Sequence, residues 1–408
     1  MPTLQSEESL SELGRKIAEL AETFDNRYAK ESLAGTGSSS ETDNHRMKAR
    51  ETLVLLLHNM IDKVQGPTRT LIEMINTARV RLSVMRALIN FNLTENIPDG
   101  GSVSFNKLAS IVGANRLMLE RVIRFAFSQR IFREKIPGSG EVSHTELSKA
   151  IPALTPWFKL VLSPMTILPD LSLTEALDQK NRAETAAQLA LKKGFWTSLK
   201  LNSKFDEFQD GLRSLSIAQK CCLENPVGDI FRWEEQGKAL IIDLGGGDGF
   251  SSIEAAKKNP DLHFIVQDLE ENRIQAEQNI PQELKNRVLF QAHDFFTPQR
   301  QIVQHPVTIF MKWILHNWSN DNCVKILRQL LPLLTQEGSR LLVQEYLLSD
   351  CGHIRAMDVT MLTLLNSGER TLFDFEALFQ QVDRRMRIVK VWNSEEWCMK
   401  ILEVVVDA

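Results

Sequence analysis

The chain of 408 residues reads as an α/β protein: a Rossmann-like, doubly wound and largely parallel sheet in the C-terminal half, preceded by a mostly helical region of winged-helix layout. Three observations predict this. An apolar run at 239–242 ends in Asp243 and passes through Gly245-Gly246-Gly247-Asp248-Gly249 into a helical stretch at 251–258. From Lys238 onward, short apolar runs alternate with helical patterns. Before Lys238 the periodicity is mostly helical.

Composition sets broad limits. The chain is 43% hydrophobic and 25% charged with a net charge of −4, which suits a folded protein with sizeable cores and gives no sign of a general nucleic-acid binder. The five cysteines match no zinc spacing and follow no signal peptide, so free thiols in a reducing, cytoplasmic compartment are expected. Cys221-Cys222 reads as core filler before it reads as a reactive pair. No apolar run approaches the ~20 residues of a membrane span.

The elements follow in order. Residues 9–34 form an amphipathic helix with Leu10, Leu13, Ile17, Leu20 and Phe24 on one stripe. The Gly/Ser-rich stretch 35–44 reads as a linker, which makes 1–45 an N-terminal extension. Helices follow at 46–63 and from Pro67. A short helix at 104–112, a helix capped by Asn115, and two short strands around the turn at 137–141 give the winged-helix order. The second of these helices carries Arg116, Arg121 and Arg124 with Glu120 among many apolar residues, and reads as a packing element before it reads as a DNA reader. The region 46–172 is taken as this domain and 173–408 as the sheet domain, with helices filling 174–223. Strands are expected at 239–243, 263–267, 287–291, 307–311 and 339–345, then a C-terminal pair near 387–392 and 398–405.

The strand ends carry the chemistry. Glycine at 245–249 permits positive φ and close approach of backbone to a ligand. Asp268 follows the glycines by roughly 20 residues, at the tip of the next strand, where an acid can hold two ribose hydroxyls. The last glycine of a dinucleotide G-x-G-x-x-G falls at Phe250, so this is not the dinucleotide form. Asp294-Phe295 suits an adenine edge and face, and Asp294 suits a turn or helix cap equally well. His316 stands just past a strand end between apolar residues, where a neutral imidazole can take a proton. Without His/Cys partners at metal spacing no metal is expected. Glu345 and Glu369, each ordinary alone, can converge on the second imidazole nitrogen and raise its basicity.

Together, Asp243-Leu244-Gly245-Gly246-Gly247-Asp248-Gly249, Val266-Gln267-Asp268-Leu269, His293-Asp294-Phe295-Phe296, Lys312-Trp313-Ile314-Leu315-His316-Asn317-Trp318 and Asn366-Ser367-Gly368-Glu369-Arg370-Thr371 give a chain that resembles the class I S-adenosylmethionine-dependent O-methyltransferases of the caffeic acid and isoflavone type, in their fungal secondary-metabolism branch. The resemblance implies a methyltransferase domain at the C-terminus and a dimerisation domain at the N-terminus. It implies that Gly245 and Gly247 line the cofactor's methionine part, that Asp268 holds the ribose, and that Leu269, Asp294, Phe295 and Trp318 border the adenine. Lys312 reaches the cofactor, His316 is the general base, and Glu345 and Glu369 flank it. Met361, Asn366 and the wing residue His144 fall where substrate contacts occur. Asn317 stands where many members have Asp, and Phe250 where a small or polar residue is common.

The expected reaction is O-methylation of a flat, apolar acceptor, since Trp157, Phe158, Met361 and Leu365 are candidate pocket residues. The alternative is a pericyclase or dehydratase on the same scaffold that acts on a polyketide–peptide intermediate without methyl transfer. A ligand-binding winged-helix regulator is a third reading. An intact His316/Glu345/Glu369 set favours the first.

Overall fold

The computed structural model describes residues 8–34, 40–178, 185–222, 231–233, 238–299, 306–393 and 399–407. The chain divides into two compact units, 1–149 and 150–408. The first holds α1 (Leu10–Ala34), α2 (Ser40–Gln65), α3 (Pro67–Asn90), β1 (Val103–Ser104), α4 (Phe105–Val112), α5 (Arg116–Ser128), β2 (Phe132–Arg133) and β3 (Glu141–His144). The expected linker is corrected at 40–44, which is helical; Glu41-Thr42-Asp43-Asn44 holds no glycine or proline to stop the helix from extending through it. Residues 35–39 lie outside the described residues, as does Cys398.

The winged-helix order is present. Ser104 Oγ accepts from the Lys107 N–H, and Asn115 Oδ1 accepts from the N–H groups of Leu117 and Met118, so both helices start on a side-chain cap. The three strands pair in the order β1-β3-β2. Arg116 and Arg124 both pair with Glu120, and Arg124 also lies 5.2 Å above the Phe105 ring. These two charges of α5 are therefore engaged inside the unit, as a packing helix requires.

Beyond α6 (Glu146–Val161), the second unit holds α7 (Pro164–Leu171), α8 (Leu173–Leu177), α9 (Ala186–Leu191), α10 (Phe195–Leu201) and α11 (Phe205–Cys222) ahead of the sheet. The boundary falls earlier than the expected 172/173. The reason is packing: α7 lies against α9 and against the late helix that carries Met361.

Strands β4 (Leu240–Leu244), β5 (His263–Asp268), β6 (Val288–Ala292), β7 (Val307–Lys312), β8 (Arg340–Tyr346), β9 (Met386–Asn393) and β10 (Met399–Val406) form one sheet in the order β6-β5-β4-β7-β8-β10-β9. Each begins and ends within about a residue of its expected place. The first five are parallel, and β10 runs antiparallel between β8 and β9. Chain order runs outward from β4 to β5 and β6, then returns to β7 on the other side, which makes the carboxyl end of β4 the switch point where such sheets bind ligands.

Alternation along the strands sends Leu240, Ile242 and Leu244 to one core and Ile241 to the other. The first face is covered by α14 (Asn320–Leu334) and α16 (Leu372–Val382), the second by α12 (Phe250–Lys258). The remaining helices are α13 (Arg273–Asn279) and α15 (Gly352–Leu365). Among the described residues, no single helix is long and apolar enough to cross a membrane.

Leu330, fully buried in the larger core, gives a test of this packing. Leu330→Ala is expected to cost about 2–5 kcal/mol. Chemical denaturation followed by tryptophan fluorescence checks it, with a lowered midpoint and an unchanged slope as the outcome.

Candidate functional site

The carboxyl ends of β4 and β5 form a glycine-lined cradle. β4 leaves the sheet at Gly245, whose φ is +73°; Gly247 and Gly249 are also left-handed, at +57° and +78°. A Cβ on Gly245 would run into the Ile314 side chain, and one on Gly247 would lie 3.0 Å from Gln209 Oε1. The loop is thus glycine for conformation and for space. Asp268 closes the cradle. Its Oδ2 accepts from the Gly247 N–H at 2.8 Å, and its Oδ1 accepts from the Leu269 N–H and the Asn272 amide, both at 2.7 Å. Burial raises its pKa while those donors oppose the rise. Deeper in the sheet Asp243 accepts from the Ser252 hydroxyl at 2.6 Å; burial, partly offset by that hydrogen bond, pushes its carboxyl up to about 6.

The aromatic wall is continuous. Phe295 and Phe296 both stand edge-on to Trp318, with centroids 5.9 Å and 4.8 Å away. Leu269 is half-exposed at the β5 tip. Asp294 Oδ1 accepts from the Phe296 N–H at 3.0 Å, so one oxygen serves its own turn. Lys312 Nζ lies 3.1 Å from Ser216 Oγ and 3.5 Å from Ser251 Oγ, beside the first turn of α12.

Past β7 the chain turns sharply. Trp313 has φ +55°, a strained region for a bulky side chain that needs support from its surroundings. Its N–H donates to the Gln344 carbonyl at 3.1 Å and its ring stacks on Tyr346. This turn aims the next three N–H groups at one carboxylate oxygen. Glu345 Oε1 accepts from Ile314 at 3.0 Å, Leu315 at 2.8 Å and His316 at 3.4 Å. The other face of the same segment is held by its carbonyls. Ser367 Oγ donates toward the oxygens of His316 and Trp318, and Arg370 toward those of Leu315 and Trp318.

The imidazole of His316 is buried, and its Nδ1 lies 2.9 Å from Glu369 Oε1 and 3.7 Å from Glu345 Oε2. The two acids therefore act differently. Glu369 hydrogen-bonds the ring; Glu345 clamps the backbone and contributes charge. Burial disfavours the imidazolium, yet the charge of Glu345 and the hydrogen bond and charge of Glu369 prevail and push His316 up to about 9. Glu345 rises to about 7, chiefly through burial. Glu369 is itself held by its N–H, which donates to Asp358 Oδ1 at 3.0 Å. A Cβ on Gly368 would lie 2.7 Å from that same oxygen, so a larger residue there would have to push the Asp358 carboxylate aside.

Nine of the residues read from sequence thus line two adjoining groups at the strand ends: Gly245, Gly247, Asp268, Lys312, Phe295 and Trp318 in one, His316, Glu345 and Glu369 in the other. Met361 is buried on α15, and Asn366 ends that helix with φ +51°. His144 has another occupation: Nδ1 lies 2.9 Å from Ser148 Oγ and Nε2 3.1 Å from the Ile97 carbonyl, so both ring nitrogens are engaged within the wing.

Sequence reasoning missed the polar stripe of α11. Gln209, Arg213 and Ser216 recur at helical spacing and meet Gly247, Asp248 and Lys312 in turn. That spacing was the available signal. It also missed Asp358 and Arg370. The trio His316, Glu345 and Glu369 places one possible ligand atom each within 4.8 Å of the others, a grouping that His/Cys spacing does not detect.

Known proteins resemble this chain in sequence and in fold. A family model described as an O-methyltransferase domain matches residues 208–383. The O-methyltransferase VdtC of Byssochlamys spectabilis is 30% identical over 380 residues, covering 88% of this chain and 86% of the relative. A crystal structure of OxaC in complex with SAH and oxaline superposes with a TM-score of 0.75 at 22% identity, covering 98% of this chain and all of the other. A structure titled as a pericyclic reaction enzyme superposes at 0.71 with 18% identity, covering 96% and 100%. The chain belongs to the class I O-methyltransferase family, in its fungal secondary-metabolism branch, and S-adenosylmethionine is its cofactor.

The glycine loop carries a direct test. Gly245→Ala is expected to lower affinity for S-adenosylmethionine at least about tenfold, because the methyl group meets Ile314 and φ is left-handed. Calorimetric titration with the cofactor measures this, with circular dichroism showing an unchanged fold.

Proposed function

We propose that this O-methyltransferase methylates a hydroxyl of an aromatic or polyketide-type secondary metabolite, with His316 as general base. One observation carries the reading: Nδ1 of a buried imidazole is held by Glu369 at 2.9 Å, which leaves Nε2 as the proton acceptor. S-Adenosylmethionine, when bound, supplies a methyl group on a sulfonium, an electrophile that needs alignment more than activation. Gly245, Gly247, Asp268, Leu269, Asp294, Phe295, Lys312 and Trp318 are the residues that hold it. Met361, Asn366 and the half-buried Trp157 and Phe158 contribute to the acceptor pocket, and His144 is left to the wing.

A phenol with a pKa of about 10 is ionised to roughly one part in 10³ at pH 7. A base in place is therefore worth up to about 4 kcal/mol. An imidazole near 9 is mostly protonated at neutral pH, but its strength approaches that of the phenol, which makes proton transfer close to thermoneutral. The trio is read as a proton site rather than a cation site, because Glu345 Oε1 already serves the N–H groups of 314–316 and Nδ1 is already hydrogen-bonded.

A homodimer through the first unit is part of the proposal. On α2 and α3, Val54, Leu55, Ile61, Val64, Ile72 and Ile75 are exposed, a surface that a second copy would cover.

Five outcomes test these readings. His316→Gln is expected to lower kcat by at least about 10²-fold while cofactor affinity stays within about twofold. The base works only after losing its proton, so kcat/KM rises with pH with its midpoint near 9 in the wild type, and the limb is absent in the variant. Product mass checks the reaction class: a gain of one methyl supports transfer, and an unchanged mass or loss of water gives the pericyclase or dehydratase alternative. Turnover unchanged by a chelator supports the metal-free reading. For the dimer, Ile72→Asp with Ile75→Asp is expected to convert a two-chain mass to a one-chain mass in analytical ultracentrifugation.

A further inference from the structure

We propose that Arg370 is a positioning residue for His316: it holds the loop around the imidazole by its backbone carbonyls and supplies the fixed positive charge of that buried cluster. The inference rests on the base role proposed above.

The hydrogen bonds are specific. Arg370 is 7% exposed. Its Nη1 donates to the Leu315 carbonyl at 2.8 Å and its Nη2 to the Trp318 carbonyl at 2.7 Å. Nε and Nη2 both donate to Asn320 Oδ1, at 3.0 and 2.9 Å. Leu315 and Trp318 bracket the His316-Asn317 turn, so the planar fork fixes both ends of it. All these acceptors are neutral. The guanidinium charge is therefore not spent in a direct ion pair among the described residues, and it acts on the cluster as a whole.

The groups that face His316 can be counted by element. β8 presents Glu345, and the loop after α15 presents Glu369 and Arg370. α14 presents Cys323, whose thiol burial pushes up to about 11, so it is neutral. Asp358 on α15 reaches the site only through the Glu369 N–H. Asp374 in the first turn of α16 feels Arg370 but is tied to Thr371. With both glutamates ionised and Arg370 charged, Glu345, Glu369, Arg370 and a neutral imidazole sum to one negative charge. Without Arg370 the sum is two, and the imidazole holds its proton more tightly.

The test separates charge from placement. Arg370→Met is expected to lower kcat by about 10²-fold and to move the acid limb of kcat/KM up by about one pH unit. Arg370→Lys keeps the charge and loses the fork, so kcat falls about tenfold with the limb unmoved. NMR titration of the imidazole signals, with His316 assigned from its loss in His316→Gln, reads the same shift in the protein without turnover. A folded Arg370→Met with wild-type kcat and an unmoved His316 midpoint overturns the proposal. Should that variant fail to fold, wild-type kcat in Arg370→Lys overturns the placement role, and a loss of kcat with an unmoved midpoint supports it. Turnover surviving in His316→Gln defeats the base reading instead, and the NMR midpoints then still decide whether Arg370 sets the imidazole's charge.

Discussion

The buried carboxylate of Glu345 is the constraint on which the His316 loop depends. Residues 315–317 form a single 3-10 turn, and the N–H groups that open a buried turn have no partner within it and must find one elsewhere. Glu345 Oε1 takes those of residues 314–316. A charge removed from water is costly unless hydrogen-bonded and compensated, and here the N–H groups and the nearby imidazole do both. The strained Trp313 follows from the same demand, since the chain must reverse within one residue of β7 to present those N–H groups. The loop shape and the imidazole position are two consequences of one contact, and the same N–H groups oppose the rise that burial imposes on the Glu345 pKa.

The glycine loop is built on the opposite principle. There the backbone is stripped of side chains, and neighbouring elements limit its freedom. Asp268 holds the Gly247 N–H from one side, while α11 lies along the other through Gln209 and Arg213, the latter paired with Asp248. Lys312 joins the two loops: it leaves β7 one residue before the turn and reaches back to Ser216 and Ser251. The glycine loop and the His316 loop also touch directly, because the Ile314 side chain fills the space that Gly245 leaves open. A change at either loop is therefore felt at the other.

The sheet was legible because its central strands β4, β7 and β8 are buried on both faces, and β4, β5 and β8 carry an acid at or next to their last residue, which marks their length. The site residues were legible because they stand at those ends. Which atom of Glu345 does what was not, since spacing carries no information on hydrogen-bond direction. Arg370 was hidden for a related reason: its partners are carbonyls, and every residue has one. The compact units divide at 149/150 rather than 172/173; the helices between Ala150 and Leu171 read like those of the wing before them, and packing groups them with the sheet. His144 was legible as polar and near a turn, but its partners Ser148 and Ile97 lie one helical turn and one fold apart.

The charge count gives this arrangement a direction. Glu345, Glu369 and Arg370 with a neutral imidazole leave the buried cluster one negative charge, and a proton on His316 cancels it. Under the proposed reaction the proton arrives from the acceptor hydroxyl as the sulfonium's positive charge disappears. The loss of one charge and the gain of another occur together, so the total in the buried region stays constant. That matters where water cannot screen, because a change of net charge in low dielectric is what makes a buried reaction slow. The second carboxylate, redundant if its task were only to orient a ring, is explained by this: one acid is needed to hold Nδ1, and the other offsets Arg370 so that the pair Glu369–His316 passes from negative to neutral.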